Sequence, residues 1–155
     1  MKNEFYIENS YYQGLVQNYY SGKNGCFNAF MNFFYQFEQS LIFNKNLIDM
    51  FEKLYKLELE NCIILSQILL KNGVDCKFLS GQKKFLSGCD VEYTKSFSQM
   101  FLNDIEMLEV GVIEVKNLIL KIKNLNARAE FGKILKNKKT ELKMLRENYL
   151  KNNLK

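Results

Sequence analysis

Four stretches of this 155-residue chain carry apolar side chains at alternating steps of three and four, and no proline interrupts any of them. Such spacing keeps the apolar groups on one side of a helix with about 3.6 residues per turn. With no residue that fixes φ and removes a backbone donor, each stretch can run as one long helix. The first is expected over about residues 26–42, where Cys26, Phe30, Phe33, Phe37 and Leu41 fall in step. The second is expected over 46–72, the third over 94–123 and the fourth over 126–150. Asn46 with Asp49 reads as the N-cap of the second, and Gly73 as its C-terminal stop.

Residues 5–20 carry Phe5, Tyr6, Tyr11, Tyr12, Tyr19 and Tyr20, and read as a short helical lead-in that packs on the bundle. The run Ser21-Gly22-Lys23-Asn24-Gly25 then breaks it. Between the second and third long helices, Val74 to Tyr93 holds the turn pairs Ser80-Gly81 and Ser87-Gly88 and reads as a long crossover loop. Two helices, a long connection and two more helices is the order of a bundle with one crossover, the ferritin-like type. The expected fold class is therefore all-α: a ferritin-like four-helix bundle with a short lead-in helix, spanning 1–155 as one domain.

No stretch approaches the roughly 20 apolar residues that a membrane span needs. The start Met-Lys-Asn-Glu-Phe-Tyr lacks the apolar run and small-residue cleavage site of a signal peptide, so a cytoplasmic location is the expectation. Cys26, Cys62, Cys76 and Cys89 form no Cys-x-x-Cys pair, and the chain has no histidine to complete a zinc set. Free thiols are expected, with a Cys76–Cys89 bridge as the alternative, because both lie in one connection.

The net charge of +5 is uneven: residues 116–155 carry 12 lysines and arginines against 3 carboxylates. A basic half attracts nucleic acid or an acidic membrane surface, or else is a solvated face that keeps the protein soluble. These lysines are not interleaved with aromatics, as single-strand binders require, so neither nucleic acid nor membrane is the expected partner.

The informative feature is where the apolar stripes turn polar. On the second long helix the stripe runs Leu47, Phe51, Leu54, Glu58, Asn61, Leu65, Ile68. On the fourth it runs Ala127, Phe131, Ile134, Lys138, Glu141, Leu145, Tyr149. Each places two polar residues, three apart, at mid-height on the face that should be buried. The third, Phe97, Phe101, Ile105, Leu108, Val112, Val115, Ile119, reads as apolar throughout. Buried charges need partners, and Lys138 between Glu58 and Glu141 would supply them. Alternatively the helices rotate slightly and these groups reach water at the seams.

The run 57–75, Leu-Glu-Leu-Glu-Asn-Cys-Ile-Ile-Leu-Ser-Gln-Ile-Leu-Leu-Lys-Asn-Gly-Val-Asp, resembles the ferritin-like bundles of the rubrerythrin and manganese-catalase group. So do the loop ending Ser87-Gly88-Cys89-Asp90-Val91-Glu92-Tyr93 and the run from Asn103 to Val112. Spacing and apolar positions over about residues 10–150 carry the resemblance. It implies two metal ions held by one glutamate from each of two helices and a Glu-x-x-His from each of the other two. Transferred position by position, the first glutamate falls on Cys26 and the first Glu-x-x-His on Glu58 and Asn61. The third-helix glutamate falls on Leu108, beside Glu109, and the last Glu-x-x-His on Lys138 and Glu141. Only Glu58 keeps the family type.

The resemblance therefore implies a degenerate, non-catalytic member without metal or other cofactor, in a structural or partner-binding role. Spore-coat components similar to manganese catalase are relatives of that kind. Helical faces would form a homodimer or seat a different partner, with the aromatic lead-in as the contact surface unless it caps its own core. The alternative is a residual peroxide- or oxygen-handling metal site rebuilt from Glu58, Glu141, Cys26 and Cys62. A thiol chemistry at Cys26 or Cys62, with its pKa lowered by Lys138, is a further possibility.

Overall fold

The computed structural model describes residues 4–79, 83–94 and 96–153; the pair Ser80-Gly81 lies outside them. Among these residues the chain is all-helical, with α1 (Ser10–Ser21), α2 (Cys26–Phe43), α3 (Ile48–Lys71), α4 (Phe97–Lys121) and α5 (Leu125–Asn153). No helix is long and apolar enough to cross a membrane among the described residues.

Local chemistry sets the ends. Asn9 caps α1 by accepting from the Tyr11 N–H at 2.8 Å, so residues before it stay outside the helix. Ser96 caps α4 through the Gln99 N–H, and Asn124 accepts from the Ala127 N–H at 3.0 Å as α5 begins. Gly73 ends α3 at φ +72°, a left-handed conformation that costs glycine nothing. Its neighbour Asn72 clamps the chain before α1, accepting from the Ile7 N–H and donating to the Phe5 carbonyl, both at 2.8 Å.

The expected N-cap of α3 is corrected. Asn46 sits inside a 3-10 turn, Lys45–Leu47, and the residue that precedes α3 is Leu47, which makes no side-chain cap bond. Leu47 is buried while Asn46 is exposed, so anchoring the leucine in the core decides where α3 starts.

α2 packs along α3, α4 along α5, and α3 along α5, while α1 lies against α2, α3 and α4. The short links after α2 and α4 make each of those pairs an antiparallel hairpin. Apolar side chains gather in two clusters. One joins Val16, Tyr19, Cys26, Leu65, Val115 and Phe131 with their neighbours; the other joins Phe33, Phe51, Leu54, Phe101, Leu108 and Leu145 with theirs. Each large side chain contributes about 1.5–3 kcal/mol by leaving water. The end of α3 belongs to the first cluster and the start of α4 to the second, so the connection leaves α3 at one cluster and enters α4 at the other.

Two stripes are rotated from their expected positions. On α2, Leu41 is 47% exposed and Phe30 and Phe37 are half-buried; the inward face is instead Ala29, Asn32, Phe33, Gln36 and Ser40. Phe30, Phe34 and Phe37 gather round the Tyr55 ring along the outer seam with α3, and that aromatic contact turns the helix. On α4 the face is not apolar throughout: Asp104 is buried, and Ile105, Val112 and Ile119 are only half-buried.

Candidate functional site

A polar layer separates the two apolar clusters. On α3, Glu58 and Asn61 lie between Leu54 and Leu65; on α5, Lys138 and Glu141 lie between Ile134 and Leu145. Lys138 is 3% exposed and the other three are fully buried, so none reaches solvent at a seam. Helical spacing explains the meeting: 58 and 61, like 138 and 141, are three apart and share a helix face.

The Lys138 ammonium donates to Glu58 Oε1, and Glu141 Oε2 stands 3.9 Å from Nζ. Asn61 donates from Nδ2 to Glu58 Oε2 at 3.2 Å, which engages the second oxygen. The half-buried Asn137 amide in turn donates to Asn61 Oδ1 at 2.9 Å and fixes which way that amide points.

The two ions and the second acid have different electrostatics. Burial works against the charge on Lys138, but the Glu58 carboxylate paired with it outweighs burial and holds the ammonium above its usual range. Burial, followed by the neighbouring Glu58 charge, pushes the Glu141 carboxyl well up, with Lys138 opposing. As a carboxylate, Glu141 would leave both oxygens without a donor; as an acid it can donate to Glu58. The layer is thus an ammonium facing one carboxylate, with a neutral acid beside them. Glu114 on α4, half-buried, also has its carboxyl raised by burial and feels Lys138 in the opposite sense.

The other two transferred positions differ. Cys26 is fully buried at the start of α2, within the field of Lys138 and Glu58, and Tyr19 of α1 sets its hydroxyl beside it. Leu108 packs in the second apolar cluster, and α4 meets Lys138 instead with Gly111. A Cβ at Gly111 would stand 3.5 Å from Lys138 Cε, an ordinary contact distance, so the lysine stem runs alongside α4 at this position. Glu109, next to Leu108, points outward and pairs with Arg146.

Burial, ahead of the Lys138 charge, pushes the Cys26 thiol well up, and Cys62 likewise. A thiol held protonated is a poor nucleophile, so the expected activation by Lys138 is outweighed. All four cysteines are free, Cys76 half-buried and Cys89 exposed.

No family model matches the chain, and neither a curated protein nor a solved structure does so.

The pair of cations that the family resemblance implies does not fit this donor set. Lys138 brings positive charge where a carboxylate would neutralise metal, and Leu108 offers no donor atom. Among the described residues no three histidine, cysteine or carboxyl side chains converge to hold a metal ion.

A second buried polar group was absent from the expectations. Gln36 of α2 donates from Nε2 to Asp104 Oδ1 of α4 at 3.0 Å, and both residues are inside. Burial first, and the Glu92 charge after it, raise the Asp104 carboxyl to about 7, against the Gln36 bond. Nearby, the Glu92 N–H donates to Asn32 Oδ1 at 2.7 Å, and Asn28 donates to the Lys23 and Asp90 carbonyls. The signal was present on α2: Asn28, Asn32, Gln36 and Ser40 are spaced by four, an uncharged polar row unlike a solvated face rich in lysine and glutamate.

Proposed function

We propose that this protein is a metal-free, non-catalytic member of the ferritin-like superfamily with a structural or partner-binding role. The observation that carries the reading is the Lys138 ammonium lodged between α3 and α5, paired to Glu58 at the height where the family's metal ions would sit. A divalent cation there would have to displace a buried ammonium and compete for the oxygen that it occupies. The same reading makes Asn61 and Glu141 neutral neighbours of that pair rather than ligands.

An assembly role, of the kind held by spore-coat components similar to manganese catalase, fits an apolar outer face. Leu59, Ile63 and Leu70 follow one outward stripe of α3, with Phe34 of α2 beside it across Tyr55. Among the lead-in aromatics, Tyr19 and Tyr20 are committed to the protein's own core, which leaves Tyr6 and Tyr11 as its outward rings. The α2–α3 face is therefore the better candidate for a homodimer or a different partner.

Elemental analysis of the purified protein, expressed with iron and manganese in excess, tests the reading. The expected result is a small fraction of one metal per chain, with no change in Tm on adding a chelator. Two metals per chain would instead establish the competing reading, a residual peroxide- or oxygen-handling centre drawing on Glu58, Glu141, Cys26 and Cys62.

A further inference from the structure

A cleft of about 260 Å³ opens between α2, α4 and the connection where residues 90–92 pass them. Among the described residues four carboxyl groups line it, Asp90, Glu92, Asp104 and Glu106, together with one ammonium, Lys23. The cleft shares no residue with the Lys138 layer, and a ligand bound in it would leave the role proposed for that layer untouched.

Two buried acceptors of this cleft lack a donor among the described residues. Asp104 is 2% exposed and Asn28 4%, yet no described residue donates to Asp104 Oδ2 or Asn28 Oδ1. Buried polar atoms are satisfied in the great majority of cases, and those that are not call for an explanation. Here both belong to side chains that line one cavity.

The chemistry of that donor can be narrowed. Calcium takes six to eight oxygens at about 2.3–2.6 Å and magnesium six at about 2.1 Å. Among the described residues no such cluster of ligating side chains converges. The carboxyls are instead spread between α4 and the connection, while Met107 and Val110 supply an apolar strip in the same cleft. A molecule with ammonium groups joined by methylenes matches that layout, and the volume lies just under the roughly 300 Å³ at which drug-sized sites begin. We propose that this cleft binds a linear aliphatic diamine or polyamine, one ammonium seated on Asp104 and Asn28 and another on the outer carboxyls, with the methylenes over Met107 and Val110.

Gln36 of α2 bonds to Asp104 and the Glu92 charge acts on it from the connection, while the cleft that Asp104 lines also holds Asn28 and Asn32 from α2, Asp90 from the connection, Glu106 from α4 and Lys23 from the α1–α2 turn. The Asp104 carboxyl, raised to about 7 by burial, must lose its proton to meet an ammonium. Binding should therefore tighten between pH 6 and pH 8.

Calorimetric titration of the full chain with 1,4-diaminobutane and with spermidine, at low salt, is the test, with magnesium chloride as a separate arm. The expected result is one saturable amine site, tighter at pH 8 than at pH 6, and no saturable magnesium site. Asp104→Asn should weaken amine binding about tenfold or more, as loss of a charge-assisted contact does. Glu106→Gln, at an exposed position that does not threaten folding, should weaken it about threefold, and Glu60→Gln, on the outside of α3, should leave it unchanged. No amine binding at millimolar concentration would overturn the proposal. So would equal affinity in Asp104→Asn and wild type with the far-ultraviolet spectrum preserved, or a stoichiometric magnesium site in place of the amine.

Discussion

The bundle buries acids in two places and treats them differently. Glu58, between α3 and α5, faces an ammonium and an amide, and both of its oxygens are engaged. Asp104, between α2 and α4, has one amide on one oxygen, no partner or counter-ion among the described residues on the other, and a side chain that lines a cleft. In the first place the interior carries charge because it carries its own opposite charge. In the second it tolerates an acid by raising the carboxyl until the proton stays on near neutrality. A buried ionisable group is thus either paired or neutral, and this chain does one on each side of its core.

The comparison breaks most sharply at Lys138. Lys138→Met strands Glu58 in the core, and the expected loss is about 3–5 kcal/mol at pH 7, read from urea unfolding. A loss under about 1 kcal/mol would mean that the layer is wet. Asp104 should behave in the opposite sense. Its carboxyl is raised from an unfolded value near 4, so the native state holds the extra proton. Its contribution is fully present below about pH 4, falls as pH rises towards 7, and is flat above that. Asp104→Asn should remove that slope and make the protein more stable than wild type at pH 8, by on the order of 3 kcal/mol. Unfolding curves of the two proteins at pH 5 and pH 8 give the difference; parallel pH profiles would show that Asp104 is ionised without penalty. The smallest effect is expected at Glu141→Gln. An acid that is already neutral exchanges for a neutral amide of similar shape, so the change in Tm at pH 7 should correspond to about 1 kcal/mol or less.

The Lys138 layer is legible in the sequence and the Asp104 site is not, for a physical reason. Glu58, Asn61, Lys138 and Glu141 interrupt stripes that are otherwise apolar, so helical periodicity alone points them inward. Asp104 sits one residue before Ile105, and the stripe through Ile105 is complete without it. Phenylalanine-rich α2 misleads in the same way. Its large rings suggest a core-facing stripe, whereas Phe34 and its aromatic neighbours line an outer seam and the small amides go inside. Periodicity places a stripe only to within about one residue's rotation, roughly 100°, and side-chain size does not say which stripe faces in. Four long helices, their order and the connection between α3 and α4 do follow from spacing and from the absence of proline. The contact of Gly111 with the Lys138 stem does not, because it depends on how α4 and α5 pack.

A double-mutant cycle between Lys138 and Glu58 at pH 7 probes the internal pairing of charge most directly. With each residue changed to Met, either single variant should lose about 3 kcal/mol or more, and the double variant should lie within about 1 kcal/mol of wild type, because two apolar chains then fill a layer that holds no stranded charge. Losses that simply add, so that the double variant is the least stable of the three, would contradict the pairing of these two side chains inside the bundle.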